Sequence, residues 1–113
     1  MARARYRVRY ATIFVFPPAG RGGKPRVSAA PETLTVREGD VVDWTVVNAT
    51  GADSPGVVTI KWKGKSPLEA EPKEFDRKAR ATVRGKSKAK TPYRYSILLN
   101  GEEVFDPELE VMS

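Results

Sequence analysis

The fold is decided by the stretch PETLTVREGDVVDWTVVN, which covers residues 31–48. Its first half alternates between polar and apolar side chains over residues 33–37, as a β-strand with one wet face does. Gly39 and Asp40 then give a tight-turn signal, in which the Asp40 carboxylate serves the turn by accepting backbone hydrogen bonds. The valine-rich run at residues 41–47 is the strongest strand signal in the chain. The stretch therefore predicts two strands joined by a Gly-Asp turn.

Short strands separated by turn signals continue on both sides, and no segment has a convincing helical period. Residues 17–31 are rich in proline and glycine and predict a loop, and residues 68–71 have room for one helical turn at most. Asn100-Gly101 is the best hairpin signal, because both positions tolerate positive φ. The remaining predicted strands are residues 3–16, 57–62, 78–84, 93–99, 103–105 and 109–112.

About seven strands, β-branched runs and two tryptophans favour an all-β, antiparallel Greek-key β-sandwich. Trp44 and Trp62 alternate in register with neighbouring valine and isoleucine residues, so both are predicted to lie in the core. A chain of 113 residues fits a single domain spanning residues 1–113, with enough buried surface for one unaided core.

Three stretches together resemble the cupredoxin family, in family order. Residues 31–48 resemble its strand, Gly-Asp turn and valine-rich strand that ends in tryptophan and asparagine. Residues 91–96, TPYRYS, are similar to the entry into the strand that carries the copper-binding cysteine, and residues 106–111, DPELEV, are similar to the last strand of metal-free relatives. The resemblance implies a cupredoxin-like sandwich.

The chain departs from the copper-binding members because it contains no histidine and no cysteine, the residues whose imidazole and thiolate groups hold a blue-copper ion. The resemblance therefore implies a metal-free member, and we expect neither a metal nor a cofactor. The positions where relatives keep their ligands hold Gly56 or Val57, Ile97, Asn100 and Phe105.

Charge is segregated along the chain, which carries a net charge of +6. Residues 1–31 and 77–94 contain only basic charges, whereas the residues after Arg94 contain only acidic ones. This pattern indicates either a surface that faces an anionic partner or ion pairing between strands.

The candidate anion-binding residues come from the two basic stretches. On a flat first strand the arginines share one face, so Tyr6 and Tyr10 are expected on the opposite face, in the core. The leading hypothesis is a binding or structural module for an anionic protein or polyanion, with nucleic acid as an alternative because rows of bases can track phosphates. The candidates are Arg3, Arg5, Arg7, Arg9, Arg80, Arg84, Lys86 and Lys88.

Other functions find little support in the sequence. Without histidine or cysteine, and without an evident carboxylate pair, no catalytic residue is predicted and an enzyme is not expected. Residues 1–16 lack a secretory h-region, and no run approaches the roughly 20 apolar residues of a membrane span, so a cytoplasmic location is predicted.

Two further alternatives stay open at this point. The loops at residues 49–56 and 100–103 lie at the end where relatives hold copper, and a pocket there would suit a small molecule or peptide. If the first strand lies at a sheet edge, it could pair with a second copy in a homodimer.

Overall fold

The computed structural model describes residues 7–85 and 92–112. This part of the chain contains nine β-strands and no helix, and the all-β prediction is confirmed. None of its elements is a helix long and apolar enough to cross a membrane. The strands are β1 Val8–Phe16, β2 Arg26–Ala30, β3 Thr33–Arg37, β4 Val41–Asn48, β5 Val58–Trp62, β6 Lys78–Thr82, β7 Tyr93–Leu99, β8 Glu102–Phe105 and β9 Glu108–Met112.

The strands form two mixed sheets. The first sheet has the order β2-β1-β4-β6, and the second has the order β3-β9-β7-β5, with β8 paired to the second half of β7. The pairs β1·β4 and β3·β9 are parallel, and the other pairs are antiparallel. The predictions of about seven strands and of a purely antiparallel sandwich were therefore wrong. The strands β1 and β4 are parallel because the chain crosses to the second sheet to form β3 between them. It then returns to the first sheet and runs in the same direction as β1.

The strand β2 was missed because it lies inside the proline-rich segment that was predicted to be a loop. Pro25 and Pro31 flank β2 without interrupting it, and its residues pair antiparallel with the second half of β1. Val27 and Ala29 point towards the core, and the alternate residues point outwards, as the strand period requires.

The two sheets share one hydrophobic core, which gives the molecule a β-sandwich-like form. Trp44 of β4 is fully buried, and its Nε1 donates a hydrogen bond of 3.3 Å to the Tyr95 hydroxyl of β7 in the opposite sheet. Burial raises the pKa of Tyr95, and the hydrogen bond from Trp44 opposes that rise only in part. Trp62 is half-buried, with its ring 4.8 Å from that of Tyr95. The core prediction is confirmed for Trp44 and only partly met by Trp62.

The two turns predicted from the sequence are present. Asp40 accepts backbone hydrogen bonds from Arg37 (2.9 Å) and from Arg7 (3.1 Å), which ties the β3–β4 turn to the start of β1. Asn100 and Gly101 adopt positive φ angles of 53° and 84° in the hairpin that joins β7 to β8.

The strand β1 lies inside its sheet rather than at an edge. Its residues 12–15 are flanked by β2 on one side and β4 on the other, while residues 8–11 extend beyond β2. The homodimer hypothesis needed a first strand at the sheet edge, and only this short extension meets that condition among the described residues.

Candidate functional site

The inner and outer faces of β1 are the reverse of the sequence prediction. Ala11, Ile13 and Val15 are buried, so the odd-numbered residues of β1 face the core and the even-numbered ones face outwards. Tyr10 is consequently 64% exposed, whereas Arg9 lies on the inner side at the end of the core. The prediction of a buried Tyr10 was wrong, and Tyr6 lies outside the described residues.

Arg9 is engaged with the buried carboxylate of Asp40. The Arg9 Nε lies 3.5 Å from Asp40 Oδ2, in an ion pair. Burial raises the pKa of Asp40, but the backbone hydrogen bonds from Arg37 and Arg7, together with Arg9, outweigh it and hold that pKa below its ordinary value of 3.8. The charge of Arg9 is therefore already balanced by Asp40.

The other predicted site residues do not form one cluster. The Arg80 Nε lies 2.8 Å from the buried Asp43 carboxylate, and the Arg84 Nε lies 3.4 Å from Glu69. Arg7 is exposed just before β1 begins. The remaining candidates, Arg3, Arg5, Lys86 and Lys88, lie outside the described residues.

A column of aromatic side chains runs along the outer side of β1. Tyr10, Phe14 and Phe16 share this side because they are separated by even numbers of residues. The rings of Phe14 and Phe16 stack with their centroids 6.1 Å apart and their planes 13° from parallel. Val47 of β4, paired with Phe14 and 40% exposed, extends the apolar surface.

Basic side chains flank this column on both edges of the sheet. Arg26 of β2 pairs with Phe16, and its guanidinium carbon lies 5.9 Å from the Phe16 ring centroid, a cation–π geometry. Lys78 and Arg80 project outwards from β6 on the opposite edge. We refer to Tyr10, Phe14, Phe16, Arg26, Lys78 and Arg80 as the aromatic face.

The aromatic face carries a net positive charge. The four strands of the first sheet contain a single acidic residue, Asp43, which is buried and paired with Arg80. In the described part of the chain, no carboxylate pairs with Arg26 or Lys78. Both basic stretches of the sequence therefore contribute to one surface, since Arg26 comes from the first and Lys78 and Arg80 come from the second.

The acidic residues of the C-terminal stretch lie with the second sheet, where they are mixed with basic ones. Hydrogen bonding to Asp106 raises the pKa of Lys63, and the bond to Lys63 lowers the pKa of Asp106. This surface consequently has no segregated charge. Its ion pairs include Lys63–Asp106 (2.6 Å), Lys63–Glu103 (3.5 Å) and Arg94–Glu108 (3.8 Å), and Glu102 pairs with Lys24.

Hydrogen bonds between Asn100 and Val57 join the loops at residues 49–56 and 100–103, where a small-molecule or peptide pocket was the alternative prediction. Asn100 Oδ1 accepts a bond of 2.9 Å from the Val57 N–H, and the Asn100 N–H donates one of 2.8 Å to the Val57 carbonyl. Ile97 is buried in the core. An open groove of about 460 Å³ lies nearby along residues 103–106, where Lys63 already engages the carboxylates. The alternative of a small-molecule or peptide site at this end stays a prediction.

The sequence contained a signal for the aromatic face that the prediction did not use. The apolar residues Ala11, Ile13 and Val15 fix which side of β1 is buried, and that choice places Tyr10 and Phe14 outside.

The described residues contain no group of three or more acidic side chains that could hold a metal ion. No protein-family model matches the chain, and a search of curated proteins returned no similar sequence.

Proposed function

We propose that the protein is a binding module with a cupredoxin-like Greek-key sandwich fold, which contacts an anionic partner through the aromatic face and acts by contact rather than by catalysis. The observation that carries this proposal is the separation of charge between the two sheets. Uncompensated cations flank the exposed Tyr10 ring and the half-buried Phe14 and Phe16 rings on the first sheet, while acidic and basic residues are intermixed on the second. A face of this kind attracts a polyanion and offers apolar surface for contact.

The path of the chain supports the fold part of the proposal. The strands β2 and β3 are consecutive but lie in different sheets, and the chain crosses between the sheets again before β4, β5, β6 and β7. Such crossings are typical of Greek-key sandwiches, and hairpin-only meanders lack them. The motif at residues 31–48 forms β3, the Asp40 turn and β4, the elements that the family resemblance implies.

The anionic partner is expected to contact both edges of the sheet. Arg26 and Lys78 lie on β2 and β6, the outermost strands of the first sheet, with β1 and its aromatic column between β2 and β4. Because exposed charges are screened within about 8 Å at physiological ionic strength, binding by this face should weaken steeply with added salt.

The test measures binding to heparin at 50 and 200 mM salt for two matched double variants. Arg26→Glu with Lys78→Glu removes the uncompensated cations of the aromatic face, and we expect binding at 50 mM salt to weaken strongly and the salt slope to fall by about 2. Arg37→Glu with Lys61→Glu makes the same change in charge on the outer side of the second sheet and should retain most of the binding.

Equal losses in the two double variants would mean that total charge, and not the aromatic face, binds the polyanion. Failure of the unaltered protein to bind heparin at 50 mM salt would refute the proposal outright. Circular dichroism of each variant verifies that the sheets are intact.

A further inference from the structure

We infer that the anionic partner of the aromatic face is a single-stranded nucleic acid, whose bases stack on Tyr10 and on the Phe14–Phe16 pair while its phosphates lie along the cations. This inference rests on the proposed function and specifies its partner. The three ring systems and the cations come from one outer sheet surface, so they can contact one ligand together.

The exposure of Tyr10 is the first reason. Its side chain is 64% exposed on an open sheet, beside Asp43 in the register of β4. A large ring in this position contributes little to the core, and it presents a flat π-surface to solvent. Tyrosine and phenylalanine rings on β-sheets are the surfaces on which unpaired bases stack.

The spacing of the rings is the second reason. A β-strand rises about 3.4 Å per residue, so Tyr10 and Phe14 are separated by roughly 13 Å along β1, with Thr12 between them. Tyr10 and Phe14 are therefore far enough apart to receive separate, non-adjacent bases of an extended strand. The phosphates would then pass close to the uncompensated cations, Arg26 on one edge of the sheet and Lys78 on the other.

The shape of the face distinguishes single strands from duplex. In a duplex the bases already stack on one another, and sequence is read by a helix or ribbon that enters the major groove. The described part of the chain has no helix, and the aromatic face lies on a sheet surface. A segment of acidic residues would pair with the cations, but its side chains would not stack on the aromatic rings. It therefore matches the aromatic face less well than a single-stranded nucleic acid does.

The experiment compares four ligands by fluorescence anisotropy at 50 mM salt: a thymidine dodecamer, an abasic dodecamer of the same charge, a duplex dodecamer and a poly-glutamate peptide. We expect the thymidine dodecamer to bind most tightly. Tyr10→Ala should weaken its binding roughly 5- to 150-fold, because one stacking contact is lost. Tyr10→Phe, which keeps the ring, should stay within about twofold of the unaltered protein.

Two controls separate stacking from charge and from misfolding. Heparin binding should be the same in Tyr10→Ala and in the unaltered protein, because no charge is changed. Met112→Ala removes another exposed apolar side chain, on the second sheet, and should leave binding of the thymidine dodecamer intact.

Equal affinities for the thymidine and abasic dodecamers, or a Tyr10→Ala variant that binds thymidine normally, would overturn the inference while leaving the proposed function in place. Tighter binding of the duplex or of poly-glutamate would also overturn it. Loss of heparin binding in the Arg26→Glu, Lys78→Glu variant tests the proposed function separately, since heparin offers no bases to stack.

Discussion

Asp40 shows how a single buried carboxylate can organise several segments. It is only 3% exposed, yet it accepts hydrogen bonds from two backbone N–H groups and lies beside the Arg9 guanidinium. These contacts offset the cost of removing its charge from water. Because they favour the ionised form, the pKa of Asp40 lies below 3.8 in the folded protein.

Replacing this carboxylate should lower stability and change its pH dependence. Asp40→Asn removes the charge and sets an NH₂ group against N–H donors, so we expect a loss of about 1.5–3 kcal/mol in the free energy of unfolding at pH 7. A folded-state pKa below that of the unfolded chain means that Asp40 stabilises the protein above about pH 3.8. That contribution is lost as the pH falls through the folded-state value.

Urea unfolding between pH 7 and pH 2.5 measures both effects. The difference in stability between the unaltered protein and Asp40→Asn should shrink below about pH 3.8. Asp53→Asn, in an exposed loop, is the matched control and should behave like the unaltered protein. A constant difference across the whole pH range would contradict this account of Asp40.

At the scale of elements, the β7–β8 hairpin depends on backbone conformation at its two turn residues. Gly101 has a φ of 84° and no atom within 4 Å of an added Cβ, so a substitution there is opposed by backbone strain alone. We expect Gly101→Ala to cost about 1–2 kcal/mol. Gly20→Ala, also in open space but without a positive φ, should be neutral or slightly stabilising.

Thermal or urea unfolding of the two alanine variants measures this difference. Similar stabilities would show that the hairpin accommodates alanine by moving its turn. The comparison is informative because neither added methyl group meets a neighbouring atom.

Local signals were sufficient to predict most of the strands, and they failed where contacts distant in sequence decide the outcome. The bounds of β3 and β7 match the prediction, because alternation and flanking turns define them locally. The parallel partners of β1 and β3 could not be predicted in this way, since pairing depends on how the sheets assemble. The strand β2 was missed because Pro25 and Pro31 flank it, and it pairs with the second half of β1.

The predicted set of site residues differs from the set that lies on the aromatic face. Cations from both basic stretches are present there, but Arg26 and Lys78 were not among the predicted site residues. Arg9 forms an ion pair with Asp40, and Arg80 forms one with Asp43. These pairs could not be predicted from the sequence, because the positions of the two carboxylates depend on how the sheets fold. The Arg-Tyr alternation before Ala11 suggested that the tyrosines of the first strand face the core. The apolar series Ala11, Ile13 and Val15 instead places the odd-numbered residues inside.

At the scale of the whole molecule, Trp44 links the two sheets through the core. It is fully buried and contacts Tyr95 of the opposite sheet edge-on, with their ring centroids 6.2 Å apart. Truncating a buried aromatic residue costs about 3–5 kcal/mol, a large share of the 5–15 kcal/mol that stabilises a typical domain. We expect Trp44→Ala to lose that amount.

Trp62→Ala is the comparison, because Trp62 packs on the same tyrosine but is only half-buried. Its loss in the free energy of unfolding should be clearly smaller, as measured by urea unfolding followed by circular dichroism. Should Trp44→Ala fail to fold, Trp44→Phe provides a milder variant, which leaves the Tyr95 hydroxyl without its donor. A larger loss for Trp62→Ala would contradict the role given to Trp44.

The parallel pairing of β3 with β9 has a consequence for biosynthesis. Thr33 and Glu108, which face each other in this pair, are 75 residues apart in the chain. During translation, β3 therefore emerges from the ribosome well before its neighbour β9, because the other later strands are synthesised in between. Until then Leu34 and Val36 lack the companion strand beside which they are buried, and their exposure favours premature association of the nascent chain.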